Sequence, residues 1–98
     1  MNGLRFEWDA SKAAANRRKH KVSFPEAQTV FYDESARLID DPDHSDAEPR
    51  LVLLGLSFSG RVVVVHHTHR KRGRTIRIIS ARKATPSERG EYNHWRRP

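Results

Sequence analysis

Three β-prone runs separated by two glycine turns occupy the C-terminal half of the chain and restrict it to an antiparallel meander. Arg50 to Ser57, Arg61 to Arg70 and Arg74 to Ala81 are rich in Val, Leu, Ile and Thr, and each has the length of a strand. Ser59-Gly60 and Lys71-Arg72-Gly73 supply the hairpin turns between them. A shorter run, Ala36 to Asp40, predicts a further strand before the acidic loop Asp41 to Pro49.

The N-terminal half has a different period. Phe6-Glu7-Trp8 reads as a short strand or strand-like lead-in. Asp9 then offers its carboxylate as N-cap to the alanine-rich stretch Ala10 to Lys19. Ser23 and Glu26 predict a capping box for a second helix, with Pro25 tolerated in its first turn. Phe24, Ala27, Val30 and Phe31 recur at helical spacing and are candidate core residues. The chain closes on Thr85-Pro86-Ser87-Glu88, a capping box with proline at the first helical position, which predicts a last helix. Gly90 weakens that helix by about 1 kcal/mol relative to alanine. Helices segregated from hairpin-linked strands give an α+β sandwich with one sheet face covered by helices. The 98 residues fit a single domain, 1–98, with no internal repeat or linker.

Charge narrows the function classes. The net charge of +7 is segregated: residues 61–98 carry eleven Lys/Arg against two Asp/Glu, while residues 33–60 carry two against seven. A field of that shape draws in polyanions with strong salt dependence; its other reading is a merely soluble surface. The acidic stretch 33–48 is either a solvated loop or a side that repels nucleic acid. The absence of cysteine rules out disulfides and thiolate metal sites. The longest apolar run, Val62 to Val65, is too short to span a membrane, and with no leader-like opening the expected location is the cytoplasm. No glycine-rich phosphate loop, nucleophile elbow or carboxylate metal cluster is present.

The chemistry-bearing constellation is the last hairpin. A loop of Lys71 to Gly73 pairs Arg70 with Arg74, Thr68 with Ile76 and His67 with Arg77. Alternation then places Val63, Val65, His67, His69, Arg77 and Ile79 on one face, and Val62, Val64, His66, Thr68, Ile76 and Ile78 on the other. A one-residue slip exchanges the faces. An imidazole opposite a guanidinium suits phosphodiester cleavage without metal: one moves a proton, the other holds phosphate oxygens. The alternative is a surface histidine with a solvated neighbour. His67 and His69 also resemble half of a zinc site, but a catalytic site needs a third ligand, and no metal or other cofactor is expected. Arg82-Lys83 either reaches phosphate or forms an ordinary basic loop. Tyr92 either packs or points its hydroxyl at the cleft. Lys19-His20 suits the negative end of the first helix. Trp8 and Trp95 are core or partner contacts.

Several segments together resemble one family. Phe6-Glu7-Trp8-Asp9, Asn16, Lys19 to Phe24, Asp40 to Ser45, His67-Thr68-His69-Arg70 and Arg77 to Ala84 are similar, in order and spacing, to the BrnT toxins of type II toxin–antitoxin modules. The resemblance runs from Phe6 to Tyr92. It implies a RelE-like α+β fold, an antiparallel sheet of four to five strands with two N-terminal helices and one C-terminal helix. It implies metal-independent endoribonuclease activity that arrests growth, with RNA as substrate and a BrnA-type antitoxin whose DNA-binding segment gives the complex operator contact. By motif position the site candidates are His67, Thr68, Arg70, Arg77, Ser80, Arg82 and Tyr92. The expected catalytic set is His67, Thr68, Arg77, Arg82 and Tyr92, with Arg70, Lys71, Arg72, Arg74 and Lys83 binding the RNA backbone. His66 and His69 flank the motif and leave open which imidazole acts. The rival reading is a non-catalytic, basic nucleic-acid-binding subunit of a repressor complex.

Overall fold

The computed structural model describes residues 4–40 and 50–96, and the expected loop Asp41 to Pro49 lies outside the described residues. Five strands, β1 (Arg5–Glu7), β2 (Arg37–Ile39), β3 (Leu51–Leu56), β4 (Val62–Arg70) and β5 (Thr75–Lys83), form one sheet in the order β1-β5-β4-β3-β2. The meander β2 to β5 is antiparallel, as its turns predict. β1 joins β5 in parallel, so the sheet is mixed.

Each helix starts where a side chain satisfies its first free amides. Asp9 accepts from Ser11 N at 2.7 Å and Lys12 N at 3.1 Å to open α1 (Ala10–His20). That helix ends at Lys21, left-handed at φ 59°, behind a last turn of basic residues that complements its negative end. Ser23 accepts from Glu26 N and opens α2 (Phe24–Thr29), which tightens into a 3-10 turn over Val30–Tyr32. The reciprocal half of the expected Ser23–Glu26 capping box does not form. Glu26 instead turns to the β3–β4 hairpin, accepting from Ser57, Ser59 and both sides of the Arg61 fork. Charge-assisted donors outcompete a single backbone amide. Thr85 and Glu88 form both halves of the capping box that opens α3 (Pro86–Trp95).

Both sheet faces are covered, which corrects the expectation of one. α2, with the connection before it and the 3-10 turn after it, buries Val22, Phe24, Ala27 and Val30 against Leu53, Val63, Val65, Ile76, Ile78 and Ala81, and α1 packs on the same side through Ala13. Trp8 packs edge-on to Phe24, with ring centroids 5.8 Å apart, and belongs to this core. On the opposite face α3 covers only part of the sheet, seating Tyr92 and Ala84 on Val52, Leu54, Val62 and Val64. α3 is fixed there by polar contacts: Tyr92 OH donates to Asp33 Oδ2 at 2.6 Å, and Trp95 Nε1 to Ser35 O at 2.8 Å. Asp33 also receives the amides of Leu56 and Ser35. Burial works to raise its pKa, but these hydrogen bonds outweigh it and the carboxyl lies below its ordinary value.

The β4–β5 register differs from the expected one. The connection has four residues rather than three, with Lys71, Arg72 and Gly73 all at positive φ, and Arg70 pairs with Thr75. His67 therefore stands opposite Ile78 and Thr68 opposite Arg77. A bulge follows: His66 pairs with Ser80, leaving Ile79 as the extra residue on β5. Asn16 holds the strand just past it, donating to Ala81 O at 2.9 Å and accepting from Ala81 N at 3.1 Å. The buried amide thus completes the β5 edge beyond the end of β1 and joins it to Val22 O.

Two carboxylates make the fold acid-sensitive. Arg61, then Ser57 and Ser59, bring Glu26 down to about 2 against the opposing pull of burial. Arg82, together with the Thr85 cap, brings Glu88 down to about 2 in the same way. The unfolded chain takes up these protons near the ordinary value of 4.5, so the stabilisation is complete above that pH and is lost as pH falls through about 2. Allowing for solvent around the half-exposed arginines, each pair contributes about 2 kcal/mol. Urea unfolding at a series of pH values is expected to show stability falling from pH 5 to pH 2, with a shallower fall in Glu26→Gln. Equal slopes in variant and wild type would contradict the assignment.

Candidate active site

Along β4 the face shared with α3 changes from apolar to polar. Val62 and Val64 lie in the core beneath α3, and the next residues of that face are His66, Thr68 and Arg70. Their partners on β5 are Ser80, Arg77 and Thr75, and Glu7 of β1 lies beyond Arg77 in the same cross-strand row. The bulge matters here. Strict alternation would group Arg77 with Ile79 and Ala81, whereas the extra residue brings Arg77, Ser80 and Arg82 to one face.

Electrostatics organise this patch into two arginine–carboxylate units. Glu7 Oε2 receives Arg77 NH1 at 3.0 Å and Arg70 NH1 at 3.2 Å. The Arg77 hydrogen bond, with Arg70 in support, holds the Glu7 carboxyl below its ordinary range. Arg82 grips Glu88 with both ends of its fork, at 2.8 and 3.0 Å. Thr68 is 6% exposed, and among the described residues its buried Oγ1 is the side-chain oxygen left without a hydrogen-bond partner. A buried hydroxyl in that state costs about 1–3 kcal/mol unless a ligand or water satisfies it.

The structure brings together some of the expected residues and separates others. Thr68, Arg70, Arg77, Ser80 and Arg82 share the face. Lys71, Arg72 and Arg74 are exposed on the adjoining loop. Lys83 pairs with Val63 and so belongs to the α1–α2 side. His67 and Arg77 do not meet. His67 is 1% exposed on the α1–α2 side, with Phe31 edge-on at 4.8 Å, and burial pushes its pKa down to about 4. Burial favours the neutral imidazole, and the ring packs on Phe31 rather than facing Arg77. The physical reason for the correction is the fourth loop residue, which moves the partners of His67 to Arg70 by one. Tyr92 is likewise 1% exposed, and its hydroxyl, raised to about 12 by burial and by Asp33, points to Asp33 rather than into a cleft. His67 and His69 have ring centroids 5.4 Å apart, and among the described residues no three His, Cys, Asp or Glu side chains gather as metal ligands.

Comparison with known proteins fits this architecture. Residues 8–88 match the family described as "Ribonuclease toxin, BrnT, of type II toxin-antitoxin system". This chain belongs to the BrnT family. A crystal structure of the Brucella abortus ribonuclease toxin BrnT is similar to it with a TM-score of 0.64 at 20% identity, covering 84% of this chain and 97% of that one. At that identity the likeness speaks for the shared α+β fold. No curated protein matches the chain. Membership in the BrnT family carries the toxin role of a type II toxin–antitoxin system, and with it ribonuclease activity and an antitoxin partner.

Sequence reasoning missed two members of the polar face of this BrnT-family protein. Glu7 lies in the lead-in strand Phe6-Glu7-Trp8, whose alternation already separates it from its apolar neighbours. Alternation alone places His66 on the face opposite Arg77, and only the observed register returns it to the side of Arg77. Among the described residues no helix is long and apolar enough to cross a membrane.

Proposed function

We propose that this BrnT-family toxin is a metal-independent endoribonuclease that cleaves RNA on the polar part of its sheet, beyond the strand residues that α3 covers. The observation that carries this reading is the convergence of Arg70, Arg77, Thr68 and His66 on one face at the edge of the α3-covered core. Arg77, steadied in the free protein by Glu7, holds the non-bridging oxygens of a phosphodiester and offsets the charge that grows in the pentacoordinate transition state. The ribose 2′-hydroxyl attacks the adjacent phosphorus, the bond to the 5′-oxygen breaks, and the products are a 2′,3′-cyclic phosphate and a 5′-hydroxyl. Histidine is the side chain that exchanges protons near neutral pH, and His66 is the histidine of this face. It takes the 2′-hydroxyl proton or returns one to the leaving oxygen.

The other residues have supporting roles. Arg82 acts through Glu88, fixing the first turn of α3 beside the site. Lys71, Arg72 and Arg74, exposed on the β4–β5 loop, bind flanking phosphates. A BrnA-type antitoxin neutralises the toxin and gives the complex its operator-DNA contact. Purified protein incubated with single-stranded RNA in the presence of EDTA is expected to generate cyclic-phosphate ends, and His66→Ala to lower the rate by about 10²- to 10³-fold. Salt-dependent binding with no cleavage would instead identify a non-catalytic binding subunit, and full activity in His66→Ala would remove the acid–base assignment.

A further inference from the structure

The two carboxylates of the polar face are held in different ways. Glu88 is part of the scaffold: besides the Arg82 fork it accepts the Thr85 amide at 2.9 Å inside the α3 capping box. Glu7 has no such backbone anchor among the described residues. Its two hydrogen bonds come from guanidinium groups on different strands, both directed at Oε2, and its side chain is 33% exposed on a three-residue edge strand. Directly across from Arg77 stands Thr68, whose buried hydroxyl has no hydrogen-bond partner among the described residues. Two guanidinium groups meeting on one anionic oxygen, beside a buried donor with no acceptor, form a seat for a tetrahedral oxyanion rather than a simple surface ion pair.

We propose that Glu7 is a built-in stand-in for an RNA phosphodiester, filling the seat made by Arg70, Arg77 and Thr68 so that RNA binds there by displacing it. The proposal rests on the reading of this face as the RNA site and adds how that site is occupied when empty of RNA. A phosphodiester and the Glu7 carboxylate cannot share the seat, because like charges in contact repel strongly. Displacement is accessible because the Glu7 side chain reaches solvent and can rotate out, whereas neither arginine leaves its strand. The incoming phosphate gives Thr68 Oγ–H the acceptor that it lacks among the described residues. Glu7 thereby weakens binding of polyanions to the free toxin and keeps the two guanidinium groups oriented between substrates.

The test uses a non-cleavable probe, a single-stranded 2′-O-methyl oligoribonucleotide, titrated by fluorescence anisotropy at one fixed salt concentration. Glu7→Gln is expected to tighten binding about five- to twentyfold, by removing a contacting like charge. Glu7→Ala, which removes the carboxylate by another route, is expected to give the same sign, and thermal melts check that both variants are folded. Glu91→Gln, an equal change of net charge at an exposed position of α3, is expected to change affinity by less than about twofold, as a solvent-screened charge outside the Glu7–Arg70–Arg77 cluster does. In the Arg77→Gln background the gain from Glu7→Gln is expected to disappear largely, since its target arginine is gone. Unchanged or weaker binding in both Glu7 variants, a gain no larger than that of Glu91→Gln, or a full gain without Arg77 would each overturn the proposal. Failure of the underlying RNA-site reading has its own signature: Arg77→Gln binding the probe as tightly as the wild type, whatever the Glu7 variants do.

Discussion

Cleavage of RNA by the Arg77→Gln variant is expected to fall by about 10²- to 10³-fold, the usual consequence of removing one preorganised charge donor from a transition state. The expectation follows from position. Arg77 stands at the centre of the polar row, with Glu7 on one side and Thr68 on the other, and its guanidinium is held ready in the free protein. Glutamine keeps some of the length and polarity but loses both the charge and the fork. Lysine keeps the charge and loses the paired N–H groups, so Arg77→Lys is expected to recover part of the rate without reaching wild type. Thermal stability should change little in either variant, because a half-exposed ion pair contributes weakly to folding. Single-turnover cleavage at saturating protein separates the chemical step from binding. Wild-type rates in Arg77→Gln would place the reaction elsewhere.

The largest stability effect is expected at Gly55. This residue lies inside β3, opposite Val63, on the face beneath α2 and the 3-10 turn. A β-carbon there would come within 2.6 Å of Ala36 Cβ, 2.9 Å of Val30 Cγ1 and 3.1 Å of Asp33 Oδ2. The Ala36 methyl is bonded directly to backbone and has no rotamer through which to escape. Accommodation therefore requires the segment from Val30 to Ala36 to shift. That segment carries Asp33, which ties Leu56 N and Tyr92 OH together, so α3 would loosen with it. Gly55→Ala is expected to cost about 3 kcal/mol or more, at the upper end for overpacking, and to lower the melting temperature by about 10–20 °C for a domain of this size. Gly90 makes the opposite case: its added β-carbon would meet nothing within 4 Å, and Gly90→Ala is expected to raise stability by about 1 kcal/mol through helix propensity. A Gly55→Ala protein melting like wild type would mean that the 30–36 segment yields easily.

The elements that sequence reading located are those specified by local chemistry. Asp9, Ser23 and Thr85 cap helices because the acceptor and the amides it satisfies lie within three residues of each other. The strands β3, β4 and β5 follow from β-branched runs between turn residues, and their ends fall within about two residues of those read from the chain. Glu26 shows where such reasoning stops. Its local partner Ser23 was within reach, yet donors thirty-one to thirty-five positions away took the carboxylate. Asn16 is similar, an ordinary helix residue whose amide completes the edge of a strand sixty-five positions later.

For the polar face, the residue types were legible and their grouping was not. The basic C-terminal block, the histidine cluster and Arg77 were evident from the chain and already pointed to a polyanion. Which of them share a surface depended on two one-residue facts. The first is the fourth residue in the Lys71 to Arg74 connection; the second is the extra residue, Ile79, in β5. Because side chains alternate with period two, each such step exchanges faces for everything beyond it. The first put Arg77 on the face of His66 and Thr68 instead of that of His67, and the second brought Ser80 and Arg82 beside them. Composition and local pattern thus determined that a hairpin-built sheet with a strongly basic end would form. Long-range packing alone, through the core under α1 and α2 and the Asn16 clamp on Ala81, decided which residues share the polar face, because register is set by partners that no local stretch of sequence contains.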